Sequence, residues 1–253
     1  MAKVVIFGAS SAIASEVAAL HAARGDELHL VARNREKLSA LAERLEGLRS
    51  GHGSTPALTT VADLDRLAEN DGLVARVLEA SGGADTVLIA HGLLGDQLLS
   101  EQDFAEAERI ICTNFTSAVS LLVPLANYLE RQRGGRLGVI TSVAGERGRP
   151  RNYTYGASKA ALGIYLQGVR SRLYPAKVAV TTLKLGPVDS PMTTSHGKNA
   201  LFAQTGEVAR DIVSAMDARR AEVFVPRRWA AIMPIVRNTP EALFQRVKAL
   251  SGR

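Results

Sequence analysis

Short β-branched runs alternate with helical patterns along almost the whole chain, and no other feature constrains the fold as much. Extended runs are predicted at Lys3–Phe7, Glu27–Ala32, Ala57–Ala62, Thr86–Ala90, Arg136–Thr141, Val178–Lys184 and Val223–Val225. Between them, apolar residues recur at the three-to-four spacing of an amphipathic helix, as in Leu38, Leu41, Leu45 and Leu48, or Ile110, Phe115, Val119, Leu122 and Leu125. The first five runs are continuously apolar rather than alternating, the pattern of parallel strands covered on both faces. Parallel neighbours need right-handed crossovers. The expectation is therefore an α/β chain: a doubly wound parallel sheet of about seven strands with helices on both faces. It forms a single domain over residues 1–253, with a basic amphipathic segment from about 227 to 253.

Hydrophobic residues make up 46% of the chain, enough for a large core. One cysteine, Cys112, excludes an internal disulfide and a cysteine metal cluster, and no His-x-x-x-His or comparable ligand set is present, so no metal is expected. A reducing compartment suits that composition. The opening Val4–Phe7 run is too short for a secretory core, and Ala230–Val236, broken by Pro234, is too short to span a bilayer. A cytoplasmic protein, soluble or peripheral, is the expectation.

From Arg227 onward there are six basic residues against the single acid Glu241, so most of the net charge of +6 sits in the tail. Basic residues are not spread along a face with interleaved aromatics, so no nucleic-acid partner is expected. The tail carries Trp229, Ile232, Met233, Ile235 and Val236, then Leu243, Phe244, Val247 and Leu250 among Arg246 and Lys248. Such a segment can rest on an anionic membrane surface, and it can equally close a core or a dimer interface.

Ligands of open α/β sheets bind beyond the carboxyl ends of the strands. The first strand ends in Gly8-Ala9-Ser10-Ser11-Ala12-Ile13-Ala14 and a helix follows. Free N–H groups and a helix N-terminus there would receive an anion such as a dinucleotide pyrophosphate. A serine-capped turn without a ligand has the same sequence. The second strand ends in Arg33 with no acid beside it, which favours NADP(H) and leaves NAD(H) open. Tyr155 and Lys159 share a helix face, where an ammonium would lower the phenol's pKa toward the working range. Ser142 follows the fifth strand and could donate to a substrate oxygen.

Tyr155-Gly156-Ala157-Ser158-Lys159, with Ser142 upstream, resembles the Tyr-x-x-x-Lys signature of the short-chain dehydrogenase/reductase family, whose fold is Rossmann-like. Asn114 resembles the family's helix asparagine, Leu185-Gly186-Pro187-Val188-Asp189-Ser190 its turn after the sixth strand, and Asp63 with Leu64 its adenine-side acid. The resemblance implies that Tyr155 exchanges a proton with the substrate oxygen, that Lys159 tunes it and holds the nicotinamide ribose, that Ser142 polarises the carbonyl, and that Asn114 fixes a relay water. It implies cofactor contacts at Gly8, Ser10, Ser11, Ile13, Arg33, Asp63, Leu64, Ala90, His91, Gly92, Tyr155, Lys159, Gly186, Val188 and Ser190. It also implies a homodimer or homotetramer.

Three departures stand out. Ala12 and Ala14 replace glycines in the first turn, where the issue is space and not backbone conformation. Ile89-Ala90-His91-Gly92 replaces Asn-Asn-Ala-Gly, with His91 expected as a structural residue beside the ribose. Leu185 replaces a turn proline.

Arg147, Arg149 and Arg151 flank the expected site mouth and suit a phosphate or carboxylate, or form a solvated loop. With His91-Gly92-Leu93-Leu94-Gly95-Asp96 and the tail, they resemble the branch that contains decaprenylphosphoryl-2-keto-pentose reductases. That points to a keto group on a phosphate-bearing or lipid-linked sugar. Rivals are reduction of 3-oxoacyl thioesters or small ketones, and an NADP-binding regulatory protein without turnover. The intact Ser142, Tyr155, Lys159 and Asn114 set disfavours the last. The stretch 189–204 reads as a mobile substrate lid.

Overall fold

The computed structural model of the protein describes residues 1–48, 55–193 and 201–247. In chain order its elements are β1 (Lys3–Phe7), α1 (Ala12–Ala23), β2 (Glu27–Ala32), α2 (Arg35–Leu48), β3 (Leu58–Val61), α3 (Asn70–Ala80), β4 (Thr86–Ile89), α4 (Gln97–Ser100), α5 (Phe104–Ile111), α6 (Ser117–Gln132) and β5 (Arg136–Ser142). There follow α7 (Tyr153–Leu173), β6 (Ala179–Leu185), β7 (Val188–Asp189), β8 (Ala203–Gln204), α8 (Thr205–Asp217), β9 (Glu222–Val225), α9 (Trp229–Asn238) and α10 (Glu241–Arg246). Seven strands form one parallel sheet in the order β3-β2-β1-β4-β5-β6-β9. All seven correspond to the runs read from the sequence, with ends that move by no more than one residue.

The pleat of β1 explains the two cores. Val4 and Ile6 point into one, with Leu30, Val17, Leu38 and Ile212 of β2, α1, α2 and α8. Val5 and Phe7 point into the other, with Val87, Leu121, Leu125 and Leu166 of β4, α6 and α7. A strand buried on both faces needs apolar residues at every position, which is why these runs do not alternate. The expectation fails at β3. Leu58 and Val61 are exposed, because β3 is an edge strand paired only to β2 among the described residues.

The stretch Phe104–Gln132 is long and apolar enough to cross a membrane by length and composition. Here its α6 part lies on the sheet and buries Leu121, Leu122, Leu125 and Leu129. The C-terminal segment forms α9 and α10, and Trp229, Met233, Val236 and Phe244 bury themselves with Val143 in a third, smaller core. Of the three uses its sequence allowed, closing a core is the one its inward residues serve. Lys248 and Leu250 lie outside the described residues.

Candidate active site

The sheet order reverses between β1 and β4, and their carboxyl ends open a crevice there. Gly8 holds φ +79°, and a Cβ on it would stand 2.6 Å from the His91 backbone nitrogen. Only glycine therefore turns the chain here and lets it cross the end of β4. Gly8 and Ala9 both donate to the Val31 carbonyl, at 2.9 and 3.0 Å. Ser11 caps α1, its Oγ accepting the Ala14 N–H at 3.2 Å. The amides of Ser10, Ala12 and Ile13 have no partner among the described residues. Three free N–H groups at a helix N-terminus form an anion site. Ala14 is fully buried in the first core, so its methyl packs inward.

At the end of β2, the Asn34 Oδ1 accepts the Lys37 N–H at 2.7 Å and starts α2, leaving Arg33 exposed. Asp63 is also exposed and its Oδ1 accepts from the Asp65 amide at 3.2 Å. Leu64 is buried, and its carbonyl accepts from Ser117 Oγ at 2.7 Å and Asn70 Nδ2 at 2.8 Å. The single hydroxyl proton of Ser117 is thus engaged, so Ser117 accepts from the His91 Nε2 that lies 2.9 Å away. His91 is therefore the neutral Nε2–H tautomer. Burial pushes its pKa down to about 3, and the neighbouring Lys159 charge adds to this. Its structural part is to tie the end of β4, between Ala90 and Gly92, to α6 and to the loop after β3. Its Nδ1 is buried without a partner.

The turn Val143–Glu146 lies directly on α7. A Cβ on Gly145 would stand 2.8 Å from the Ala160 nitrogen, and one on Gly156 would stand 2.7 Å from the Ala144 carbonyl oxygen. This backbone-to-backbone approach brings the end of β5 against the first turns of α7. Ser142 Oγ accepts the Ala144 N–H at 3.1 Å and donates to Leu185 O at 3.3 Å. Burial pushes the Tyr155 phenol above its usual pKa, and a hydrogen bond with Ser142 opposes that shift. Lys159 is 4% exposed, donates to Ile140 O at 3.3 Å, and stands 5.8 Å from the Tyr155 ring centre. Burial lowers its pKa to about 8. The expected depression of the phenol by the ammonium is not met. Desolvation disfavours phenolate and ammonium alike, and at Tyr155 it outweighs the Ser142 hydrogen bond.

Asn114 sits in a π-helical turn, Cys112–Thr116, between α5 and α6. Its Nδ2 donates to Leu93 O at 2.6 Å and Ile110 O at 2.9 Å, and its Oδ1 accepts the Leu93 N–H at 3.0 Å. A Cβ on Gly92 would stand 2.9 Å from Asn114 Oδ1 and 3.2 Å from Lys159 Nζ. Asn114, Gly92 and Lys159 therefore form one cluster.

After β6, Gly186 donates its N–H to Val225 O at 2.9 Å and lies against the Trp229 indole. Val188 is buried, and Ser190 is held by Thr193, whose Oγ1 donates to Val188 O at 2.6 Å. Of the stretch read as a lid, 194–200 lies outside the described residues, and its two ends pair as β7 and β8.

Arg147 corrects the reading of a three-arginine mouth. Its Nη1 donates to Val236 O at 2.8 Å and Thr239 O at 2.5 Å, its Nη2 pairs with Glu241 at 2.7 Å, and its guanidinium stacks 3.8 Å from the Phe244 ring centre. These are the orphan carbonyls at the end of α9, so this arginine fastens the C-terminal helices. Sequence reasoning missed that role, and also the approach of α7 to the Val143–Glu146 turn at Gly145 and Gly156. A glycine inside an otherwise helical stretch was the available signal for the second.

A family model described as short chain dehydrogenase matches residues 2–200. An uncharacterized oxidoreductase of Mycobacterium tuberculosis is 33% identical over 246 residues, covering 97% of either chain. One from Streptomyces coelicolor is 33% identical over 245 residues, covering 96% of this chain and 94% of its own. Among solved structures, levodione reductase superposes with a TM-score of 0.80 at 20% identity, over 91% of this chain and 98% of that one, a likeness of fold.

Proposed function

Since the chain belongs to the short-chain dehydrogenase/reductase family, it is a nicotinamide-dependent oxidoreductase, and we propose that it uses NADP(H) to reduce a ketone on a phosphate-bearing or lipid-linked sugar. The carrying observation is the convergence of Ser142, Tyr155 and Lys159 where β5 meets α7, on the same carboxyl edge of the sheet as the free amides of Ser10, Ala12 and Ile13. When bound, the dinucleotide supplies the hydride.

The residues of this chain supply the rest. The first-turn amides hold the pyrophosphate. Arg33, exposed and without an ion pair among the described residues, meets the 2′-phosphate, and NAD(H) lacks that contact. Asp63 and Leu64 border the adenine. Ala90, His91 and Gly92 form the floor, with the orphan His91 Nδ1 as acceptor for a donor of the cofactor or of water. Gly186, Val188 and Ser190 form the opposite wall. The Ser142 hydroxyl orients the substrate oxygen and Tyr155 Oη donates a proton to it. Lys159 holds the nicotinamide ribose, and Asn114, beside it, fixes the water that returns a proton. We place the enzyme in the cytoplasm as a homodimer or homotetramer. Exposed Ile235 and Leu243 are the apolar residues by which α9 and α10 would touch a membrane surface.

The test is Tyr155→Phe. It should still bind NADPH, and more tightly than NADH, while kcat for ketosugar reduction falls roughly 100-fold or more. Undiminished turnover would overturn the assignment. Preferred turnover of acetoacetyl thioesters would move the substrate to the acyl class.

A further inference from the structure

The loop between β5 and α7 carries three arginines, and the fold uses them differently. Arg147 is engaged by the end of α9 and by Glu241. Arg151 is exposed. Arg149 is half-buried, its Nε is shut off from solvent without a hydrogen-bond partner, and it makes no ion pair with any described residue. The loop's own carboxylate is not available to it. Glu146 is held by Lys184 at 2.6 Å and by Arg237 at 3.2 Å. The stretch 194–200 contains no Asp or Glu. Burial alone holds the guanidinium below the usual arginine pKa, with no carboxylate opposing it.

A buried donor on a cation without a partner is destabilising, and such groups persist where something outside the chain answers them. The position of Arg149 says where that is. Its carbonyl accepts the Asn152 N–H at 3.1 Å, and the Asn152 carbonyl accepts the Gly156 N–H at 2.8 Å. Arg149 is thereby fastened to the first turn of α7, which carries Tyr155, in the loop that begins at Ser142. The other orphan donor on this side, Trp229 Nε1, lies against Gly186 after β6. Both segments thus offer N–H groups, and neither has a buried side-chain acceptor left without a partner among the described residues.

We propose that Arg149 is the residue by which this enzyme recognises its substrate, and that it holds an oxyanion, a phosphate ester or a carboxylate, borne by the molecule whose carbonyl meets Ser142 and Tyr155. The inference rests on the reductase reading above and adds a specificity residue to it. A planar guanidinium with parallel N–H groups suits either oxyanion, since both present oxygens at matching spacing.

Two measurements test it. In the first, NADPH is kept saturating so that the anion sites of the dinucleotide are filled, and thermal unfolding is followed against methyl phosphate and, separately, acetate. Wild-type protein should be stabilised by at least one of them and Arg149→Ala by neither. A response to methyl phosphate alone identifies a phosphate ester, and one to acetate alone a carboxylate. In the second, kcat/KM is compared for a ketosugar phosphate, or a keto acid, and its uncharged counterpart. The selectivity ratio should fall roughly 10- to 100-fold in Arg149→Ala, mostly through KM, as loss of a hydrogen bond to a charged group implies. Arg149→Lys should recover part of it, and Arg149→Met, which keeps the buried stem, replaces Ala if that variant does not fold. No stabilisation by either anion, or equal stabilisation of wild type and Arg149→Ala, overturns the proposal even if Tyr155→Phe behaves as expected. Wild-type protein that reduces no carbonyl compound would sink the reductase reading, and the anion measurement would still judge Arg149.

Discussion

Lys159 carries the clearest single-residue consequence. It is 4% exposed, and burial brings its pKa from 10.5 to about 8. Folding therefore penalises the charged form. Below pH 8 both folded and unfolded chains bind the proton, and the folded one bears the full penalty. Between about 8 and 10.5 the folded chain releases the proton while the unfolded chain keeps it, so the unfolded state binds more protons and stability rises with pH. The difference in unfolding free energy between wild type and Lys159→Met should accordingly move by about 2 kcal/mol in the wild type's favour from about pH 7.5 to 9.5. Denaturant titrations of both proteins at the two pH values check it. A difference that stays flat would mean that the lysine keeps an ordinary pKa. His91 offers a contrast. It is close by and also buried, yet its tautomer is settled by the Ser117 proton going to Leu64 O, and a pKa of about 3 keeps it neutral at working pH. Of the two, only the lysine titrates in the range where the enzyme would operate.

At the scale of elements, the decisive contact is α7 on the turn Val143–Glu146. Gly156→Ala adds a methyl 2.7 Å from the Ala144 carbonyl oxygen, and the atoms it meets are backbone, so the helix must move. In an exposed helix this change would stabilise by helix propensity, up to about 1 kcal/mol. Here overpacking should dominate, with a net loss of about 1–3 kcal/mol. Since the displaced helix carries Tyr155, kcat should fall together with stability, and steady-state kinetics beside a urea melt would show it. A more stable variant with unchanged kcat would mean that the contact is slack. The seven strands were legible because strands buried on both faces leave continuous apolar runs. β3 showed the limit, since an edge strand need not be buried and its sequence, Leu58-Thr59-Thr60-Val61, carries no mark of where it lies in the sheet. Ser142, Tyr155, Lys159 and Asn114 were legible as a set because their spacing along the chain is itself the motif. Arg147 was not, because its partners, Val236, Thr239 and Glu241, lie far along the chain and nothing local marks the pairing.

For the whole molecule, the third core matters most, because it joins α9 and α10 to the loop that follows Ser142. Val143 follows Ser142 directly and packs with Trp229, Met233, Val236 and Phe244, while Arg147 fastens α9 and α10 from the same loop. The amphipathic tail is therefore a clamp on one side of the site. The chain has one tryptophan, and it lies in this cluster at 4% exposure, so its emission reports on the clamp alone. Phe244 is 1% exposed, and Phe244→Ala removes both the cluster's largest inward ring from α10 and the surface on which Arg147 stacks. The loss should be on the order of 3 kcal/mol. A satellite cluster of this size can open without the main sheet, so the loss should appear first as local opening. Trp229 emission should shift to the red under native conditions while far-ultraviolet circular dichroism changes little, and the substrate KM should rise because Ser142 and Arg149 flank the loosened segment. If emission holds its position in the variant, the tail is fastened by its hydrogen bonds and not by its apolar residues. If anionic vesicles make wild-type emission quenchable by brominated lipid, the tail leaves the core for a membrane, and the clamp is only one of its two states.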